Sequence, residues 1–330
     1  MLQNAKVRIQ LMAVLVGLAL MAVKFGAYFL THSNAILTDA LESIVNVIAG
    51  GFALYSLWLA AHPRDENHPY GHGKVEFISA GVEGALIMVA GFIIFGKSIY
   101  NFIYPQEIHQ IDWGLALIAL AGAVNFGMGW YLVKMGKQHR SMTLQADGKH
   151  LMSDGWSSLG LVIGLGIILL TGINWIDNAV ALLFGLVIMV SGLKLVRGSV
   201  AGIMDEADIE LIKELIEILN KNRRANWIDI HNLRIIKYGS NLHIDAHVTL
   251  PYYLDLQQVH DELEAMDHIV TNHFGEDTEF FLHPDPCIPT SCPICIKTDC
   301  AVRQVAYSHR ETWTLENVMK NKKHGKDDNR

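Results

Sequence analysis

The sequence reads LTDALESIVNV at residues 37–47 and ADGKHLMSDGWSS at residues 146–158. Both segments place polar side chains within apolar stretches that are long enough for membrane-spanning helices. Glu42 lies four residues before Asn46, and His150 lies four residues before Asp154, so each pair shares one face of a helix. Two such faces turned toward each other would surround one point with nitrogen and oxygen ligands. We therefore predict a transport site for a divalent metal ion.

Ionisable side chains inside a membrane are energetically costly and therefore indicate a function. Each costs at least ~2.5–3.5 kcal/mol near the bilayer centre on insertion scales, so an ion or proton pathway is the default explanation. The alternative is that these residues lie at helix ends, near water. Asp39 lies three residues before Glu42 on the same face and is either a further ligand or simply part of the helix start.

Hydropathy predicts six membrane helices, since a span needs roughly 20 predominantly apolar residues. Their predicted ranges are 9–31, 35–60, 77–102, 112–134, 148–171 and 176–198. Lysine and arginine occur at the amino terminus, in the second and fourth loops and after the sixth helix, whereas the other loops carry none. Positive charge accumulates on the cytosolic side of membranes, so both termini are predicted to be cytosolic.

The composition changes at Asp205. A helical pattern at 208–220, strands at 228–237, 242–250 and 278–282, and a helix at 256–274 predict the order α-β-β-α-β. This order is typical of a small ferredoxin-like α+β layer fold. The predicted fold is thus an α-helical membrane protein with six transmembrane helices and a C-terminal cytosolic ferredoxin-like domain. The predicted regions are 1–204, 205–286, and a cysteine-rich segment with a polar tail at 287–330.

The predicted ligand types favour a metal ion that is intermediate between hard and soft. Imidazole with carboxylate and amide oxygen suits Zn²⁺, with Fe²⁺, Co²⁺, Ni²⁺ and Cd²⁺ as possible alternatives, whereas an all-oxygen site would suit Mn²⁺ or Mg²⁺ better. Metal binding requires neutral imidazole and ionised carboxylate, so it expels protons. Exchange of metal for protons follows as a hypothesis.

The second loop, RDENHPYGHGK at residues 64–74, is a second candidate metal site. It contains Asp65, His68 and His72, and a loop with Pro69 and two glycines can wrap three ligands around an ion. The residues alone leave open the alternative of a polar connector in which the histidines are incidental.

The soluble region contains further histidines and all four cysteines. The histidines and acidic residues of its strands and second helix form either a metal site at a dimer interface or a solvated face of the sheet. The cysteines are Cys287, Cys292, Cys295 and Cys300. Their central CxxC pair suits Zn²⁺ or Cu⁺, and the alternatives are redox sensing and inert reduced thiols.

Four motifs resemble those of the cation diffusion facilitator family, over residues from about 8 to 287. They are LTDALESIVN, NHPYGHGKVE, HLMSD and HPDPC. The resemblance implies a homodimeric metal–proton antiporter with six helices and a cytosolic metallochaperone-like domain. By motif position it implies transport ligands at Glu42, Asn46, His150 and Asp154, a loop site at Asp65, His68 and His72, a cytosolic site at His231, His247, His260, His283 and Asp285, and a charged interlock between subunits at Lys74 and Asp205.

Two departures from the family pattern stand out. The family usually has Asp or His followed by Asp in the second helix, whereas this chain has Glu42 and Asn46, with Asp39 as a possible substitute ligand. The segment from Cys292 to Cys300 lies outside the resemblance.

The resulting prediction is a zinc-type efflux antiporter in the bacterial cytoplasmic membrane that binds metal ions, protons and lipid. The alternatives are the same transporter tuned to iron, cobalt, nickel, cadmium or manganese, and a membrane-anchored metal sensor. The net charge of −7 gives no indication of nucleic-acid binding. The chain shows no nucleophile-and-base constellation, so it is not predicted to be an enzyme.

Overall fold

The computed structural model describes residues 4–31, 34–104, 113–171, 175–275 and 277–325. The chain divides into two compact units, Met1–Met204 and Asp205–Arg330. The side chains of Asp39 and Glu42 lie outside the described residues, although helix backbone is described there.

The first unit is built from six long helices. They are α1 (Ala5–Thr31), α2 (Asn34–Ala60), α3 (Val75–Ile103), α4 (Trp113–Gln138), α5 (Met142–Thr171) and α6 (Trp175–Ile203). In the part of the chain that is described, four of them (α1, α2, α3 and α6) are long and apolar enough to cross a membrane by length and composition. Helix α5 begins at Met142 rather than at residue 148. His150 therefore lies about two turns inside the helix.

Glycines allow α3 and α6 to pack in close contact. A Cβ atom on Gly192 would lie 2.7 Å from the carbonyl oxygen of Gly84, and one on Gly91 would lie 2.7 Å from Cγ of Met189. Small residues at helix interfaces let the backbones approach in this way. The pair α4 and α5 shows the same feature, since a Cβ on Gly148 would lie 2.7 Å from the carbonyl oxygen of Gly129.

A buried carboxylate ties α1, α3 and the start of α5 together. Glu76 is fully buried. One of its oxygens accepts a hydrogen bond from Lys6 Nζ at 2.8 Å, and the other accepts one from the hydroxyl of Ser141, the residue before α5. A buried charge with both a cation and a hydrogen-bond donor avoids most of the cost of leaving water. This contact fixes where α5 begins.

The second unit has the predicted α-β-β-α-β order. Its elements are α7 (Ile209–Lys221), β1 (Asp229–Tyr238), β2 (Asn241–Leu250), α8 (Leu256–Phe274) and β3 (Glu279–Pro286), followed by a 3₁₀ helix (Pro289–Ile294) and the short α9 (Leu315–Val318). The strand order is β1-β2-β3, with β1 antiparallel and β3 parallel to β2. The fold class predicted from the sequence is confirmed.

The C-terminal segment contributes to the core of this unit. Trp313 and Val318 are buried in the same hydrophobic cluster as Leu215, Ile244 and Met266. The guanidinium of Arg223 lies 4.0 Å from the ring centre of Trp313, a cation–π contact. Two apolar residues within a polar segment give no periodic signal, so the sequence did not predict this packing.

The contact of α3 with α6 makes a specific prediction. Gly91→Ala places a methyl group where the Met189 backbone and side chain already lie, so we expect it to destabilise the protein by about 1–3 kcal/mol. The measurement is the melting temperature of the purified chain in detergent.

Gly96→Ala in the same helix is the matched control. A Cβ on Gly96 has no other atom within 4 Å among the described residues, and alanine favours the helix over glycine. The melting temperature of this variant should stay the same or rise. Equal losses in both variants would contradict the assignment of a close contact at Gly91.

Candidate metal-binding sites

The polar faces of α2 and α5 meet inside the first unit. Asn46 Nδ2 donates to Asp154 Oδ2 at 2.6 Å, and Asn46 Oδ1 lies 3.1 Å from Nε2 of His150. His150 Nε2 is 4.0 Å from Asp154 Oδ2. Three of the four predicted transport ligands are thus brought together. The side chain of Glu42, the fourth, and that of Asp39 lie outside the described residues.

A residue that the sequence analysis did not select lies beside this group. Glu83 on α3 is fully buried, and its Oε2 lies 3.5 Å from Nδ1 of His150. Among the described residues, neither of its carboxylate oxygens accepts a hydrogen bond. The sequence alone could have identified Glu83, because a carboxylate within an apolar helix is itself a candidate functional residue.

A polar network extends from this group toward α1. Asp147 lies three residues before His150, is buried, and accepts a hydrogen bond from Gln10 Nε2 at 2.6 Å. A cavity of about 30 Å³ is lined by Asn46 and Asp147, together with Lys24 from α1 and other residues of α1, α2, α4 and α5. A space of this size accepts a small ion or about two waters. The arrangement leaves room for a small hydrated species next to the candidate ligands.

The loop residues between α2 and α3 also converge. His68 Nδ1 lies 3.0 Å and His72 Nε2 lies 3.4 Å from the carboxylate of Asp65, and one ligand atom from each of the three residues lies within 4.8 Å of the others. The backbone N–H of His68 donates to Asp65 Oδ1 at 2.6 Å. This bond is the foremost reason that the pKa of Asp65 is below its ordinary value of 3.8. The carboxylate is therefore ionised at neutral pH.

A third group lies on the sheet of the second unit. His231, His247 and His283 are direct neighbours across β1, β2 and β3. Asp285 Oδ2 lies 3.3 Å from His231 Nε2 and 3.1 Å from His247 Nδ1, and these three residues converge within 4.8 Å. The ring centre of His283 is 4.7 Å from that of His247. His260 lies exposed on α8 and is not one of the converging residues.

The C-terminal segment reaches this third group. Buried Asp229 accepts hydrogen bonds from the backbone N–H of His324 at 3.0 Å and from its ring, and its Oδ2 is 3.4 Å from His231 Nδ1. Lys323 Nζ is 3.3 Å from Asp285 Oδ1. Burial raises the pKa of Asp285, but hydrogen bonds from His247 and Lys323 outweigh it, so the net pKa is below 3.8. Asp229 shares a face of β1 with His231, whereas Lys323 and His324 join the group only through tertiary packing.

The remaining predicted residues are of two kinds. Lys74 and Asp205 belong to different units, and their pairing between subunits stays a prediction. All four cysteines are free thiols within the second unit. Burial raises the pKa of the Cys287 thiol, and the charges of the other three cysteines raise it further.

Comparison with known proteins assigns the chain to a family. A model of the cation efflux transmembrane domain matches residues 11–204, and one of the cation efflux protein cytoplasmic domain matches residues 206–287. An uncharacterized transporter of Synechocystis sp. is 35% identical over 289 residues, covering 84% of this chain and 93% of that protein.

Two further relatives carry functional names. Metal tolerance protein C1 of Arabidopsis thaliana is 29% identical, covering 78% of this chain, which in turn spans only 58% of the plant protein. The cation-efflux pump FieF of Salmonella arizonae is 27% identical, covering 85% of this chain and 92% of that protein. Both family models together cover nearly the whole described chain up to residue 287. The chain therefore belongs to the cation diffusion facilitator family, whose members are multi-pass membrane transporters of divalent cations and not enzymes.

Proposed function

We propose that this protein exports a divalent metal ion, Zn²⁺ before others, across the bacterial cytoplasmic membrane in exchange for protons, and that it does so as a homodimer. The observation that carries the proposal is the convergence of Asn46, His150 and Asp154 inside the membrane helices. Ionisable groups at such positions are costly unless they serve an ion pathway. Glu42 is included as the fourth ligand because it lies one turn before Asn46 on α2.

The donor set supports zinc. One imidazole, one amide oxygen and one or two carboxylates suit a four-coordinate borderline ion, whereas Mn²⁺ prefers oxygen ligands. Iron, cobalt, nickel, cadmium and manganese remain the alternative substrates, since geometry and availability rather than affinity decide between such ions.

The position of Glu83 bears on which ring nitrogen of His150 binds the metal. A metal-binding histidine usually donates its other ring N–H to a carboxylate, which sets the tautomer and the orientation of the ring. Glu83 lies on the Nδ1 side, whereas Asn46 and Asp154 lie on the Nε2 side. An amide oxygen only accepts, so Asn46 Oδ1 pairs with a protonated Nε2 in this structure, and metal binds Nε2 only after that proton leaves. Glu83, 3.5 Å from Nδ1, is a positioning residue that orients the ring.

Proton exchange follows from the same ligands. His150 binds metal only when Nε2 is unprotonated, and Asp154 binds it only when ionised, so loading of the metal releases protons and protonation releases the metal. A proton gradient across the membrane then drives export of the metal.

The other two groups support a regulatory role for metal in the cytosol. Asp65, His68 and His72 form one further site, and His231, His247 and Asp285, with His283 alongside, form another. The match to the cytoplasmic domain of the family supports a dimer. Cytosolic termini are supported by the positions of lysine and arginine.

Flux measurements in proteoliposomes test this proposal directly. With a fluorescent metal reporter and an imposed pH gradient, we expect Zn²⁺ flux that follows the gradient and is lost in Asp154→Ala, because that variant lacks a ligand. Flux that ignores the gradient would reject proton exchange. Absence of flux for every ion in a panel of divalent metals would reject transport and favour a membrane-anchored sensor.

Asn46 makes a prediction about ion choice. Asn46→Asp adds a carboxylate oxygen and a negative charge at the site, so we expect transport of Mn²⁺ to rise relative to Zn²⁺. Asn125→Asp is the matched control, since Asn125 lines the same cavity from α4 and is not one of the converging ligands. Competition between the two ions in the flux assay measures the ratio. The same change of ratio in both variants would indicate a general charge effect and not a role of Asn46 as a ligand.

Glu83 makes a prediction about affinity. Loss of a carboxylate that orients a metal-binding histidine typically weakens binding 10–100-fold, and we expect this from Glu83→Gln. Titration calorimetry of Zn²⁺ into the purified chain measures the Kd, and the melting temperature shows whether the variant is folded. Glu83→Asp keeps a carboxyl group and should recover part of the affinity. A folded Glu83→Gln variant with unchanged Kd would exclude the positioning role.

A further inference from the structure

The four cysteines of this chain line one cavity. Cys287, Cys292, Cys295 and Cys300 are the only cysteines in the sequence, and all of them border a space of about 20 Å³ in the second unit. This space accepts a single ion and excludes an organic ligand. Cys287 and Cys295 also pack against Ile228 and Ile294 beside this space.

Local backbone structure presents the thiols toward this space. Cys287 lies directly after β3, and its N–H donates to the carbonyl oxygen of Leu250 at 2.8 Å. Cys292 lies in the 3₁₀ helix and Cys295 directly after it, with the N–H of Cys295 donating to the carbonyl oxygen of Cys292 at 3.3 Å. The CxxC pair is thus closed into a turn. Cys295 is only 6% exposed, so its thiol is held away from bulk water.

Two cations border the same cavity. Arg303 donates to the carbonyl oxygens of Cys292 at 2.8 Å, Cys295 at 3.0 Å and Lys297 at 2.7 Å, which fixes the course of the loop. Both Arg303 and Lys297 line the cavity. Four thiolates around a divalent ion carry a net charge of about −2, and neighbouring cations lower the cost of burying such a charge.

We propose that Cys287, Cys292, Cys295 and Cys300 bind one Zn²⁺ ion as a closed structural site, separate from the transported ion. Four cysteine ligands with no open position are the usual set of a structural zinc site. The family model for the cytoplasmic domain ends at residue 287, so three of the four ligands belong to the C-terminal extension, which we define as residues 288–325.

The position of this ion explains how the extension is attached. The N–H groups of Ser308 and His309 donate to the carbonyl oxygen of Pro293 in the 3₁₀ helix, at 2.8 and 3.2 Å. Further along, Trp313 and Val318 enter the core. The zinc ion fastens the extension where it leaves β3, and the hydrophobic contacts hold its remainder. This inference does not depend on transport, so failure of the flux assay leaves it intact.

Metal content tests the proposal on the full-length chain in detergent. After purification under reducing conditions and loading with Zn²⁺, the parent should retain about one more zinc ion per chain than Cys292→Ser/Cys295→Ser. Loading with Co²⁺ should give thiolate-to-cobalt charge-transfer absorption in the parent and none in the double variant. Thr298→Ala is the matched control, because Thr298 is exposed in the same loop, and it should behave like the parent. Equal zinc content in parent and double variant would overturn the proposal.

A second measurement uses the parent chain without mutation, so its result does not depend on whether a variant folds. The zinc-loaded parent is treated with N-ethylmaleimide before and after chelation, and mass spectrometry counts the modified thiols. We expect protection of the four cysteines with zinc and modification of all four after chelation. Equal modification in both states would reject the site. Thiols that react only after reduction would indicate disulfides, and preferential retention of Cu⁺ or of iron with sulfide would reject zinc; each of these results overturns the proposal.

Discussion

The contact between His150 and its polar neighbours inside the membrane helices is the constraint on which the first unit depends. An imidazole, an amide and a carboxylate are costly to leave unpaired in a medium that lacks water, so a contact between helices stabilises them. Asn46 does this by donating to Asp154 while its oxygen faces His150. The residues proposed as transport ligands therefore also form a structural contact between α2 and α5.

Close helix packing makes this arrangement possible. Glycines at the contacts of α3 with α6 and of α4 with α5 remove the side chains that would otherwise separate the backbones. Helix α3 also approaches α5, and so the carboxylate of Glu83 comes to lie beside the His150 ring. The ion pair of Glu76 with Lys6 and its bond with Ser141 link the same helices at the start of α5. The glycine contacts hold the helix backbones close together, and the buried polar contacts fix how these helices are aligned. Because the interior is closely packed, neither kind of contact can move without the other.

The second unit combines a sheet common to the family with an extension beyond the family model. The three strands align His231, His247 and Asp285 through their register, without any need for the extension. The extension adds Lys323 and His324 to the edge of this group, and Trp313 to the core. Lys323 occupies one oxygen of Asp285, so a metal ion at the proposed site would compete with this cation for the same carboxylate.

The amino-acid sequence alone determined the class of the molecule, because hydrophobic length and period-two alternation are local properties. It also indicated the polar residues of α2 and α5, the loop histidines and the strand histidines, since costly residues in unusual places are visible without a structure. It placed the start of the fifth helix at residue 148, whereas the helix begins at Met142, because polar residues at a helix end lower the hydropathy there. Which residues face one another was decided only by the tertiary structure. Glu83 beside His150, His324 beside Asp229, and Cys300 beside the CxxC pair bring together residues that are not local neighbours, and only packing in three dimensions determines such distances.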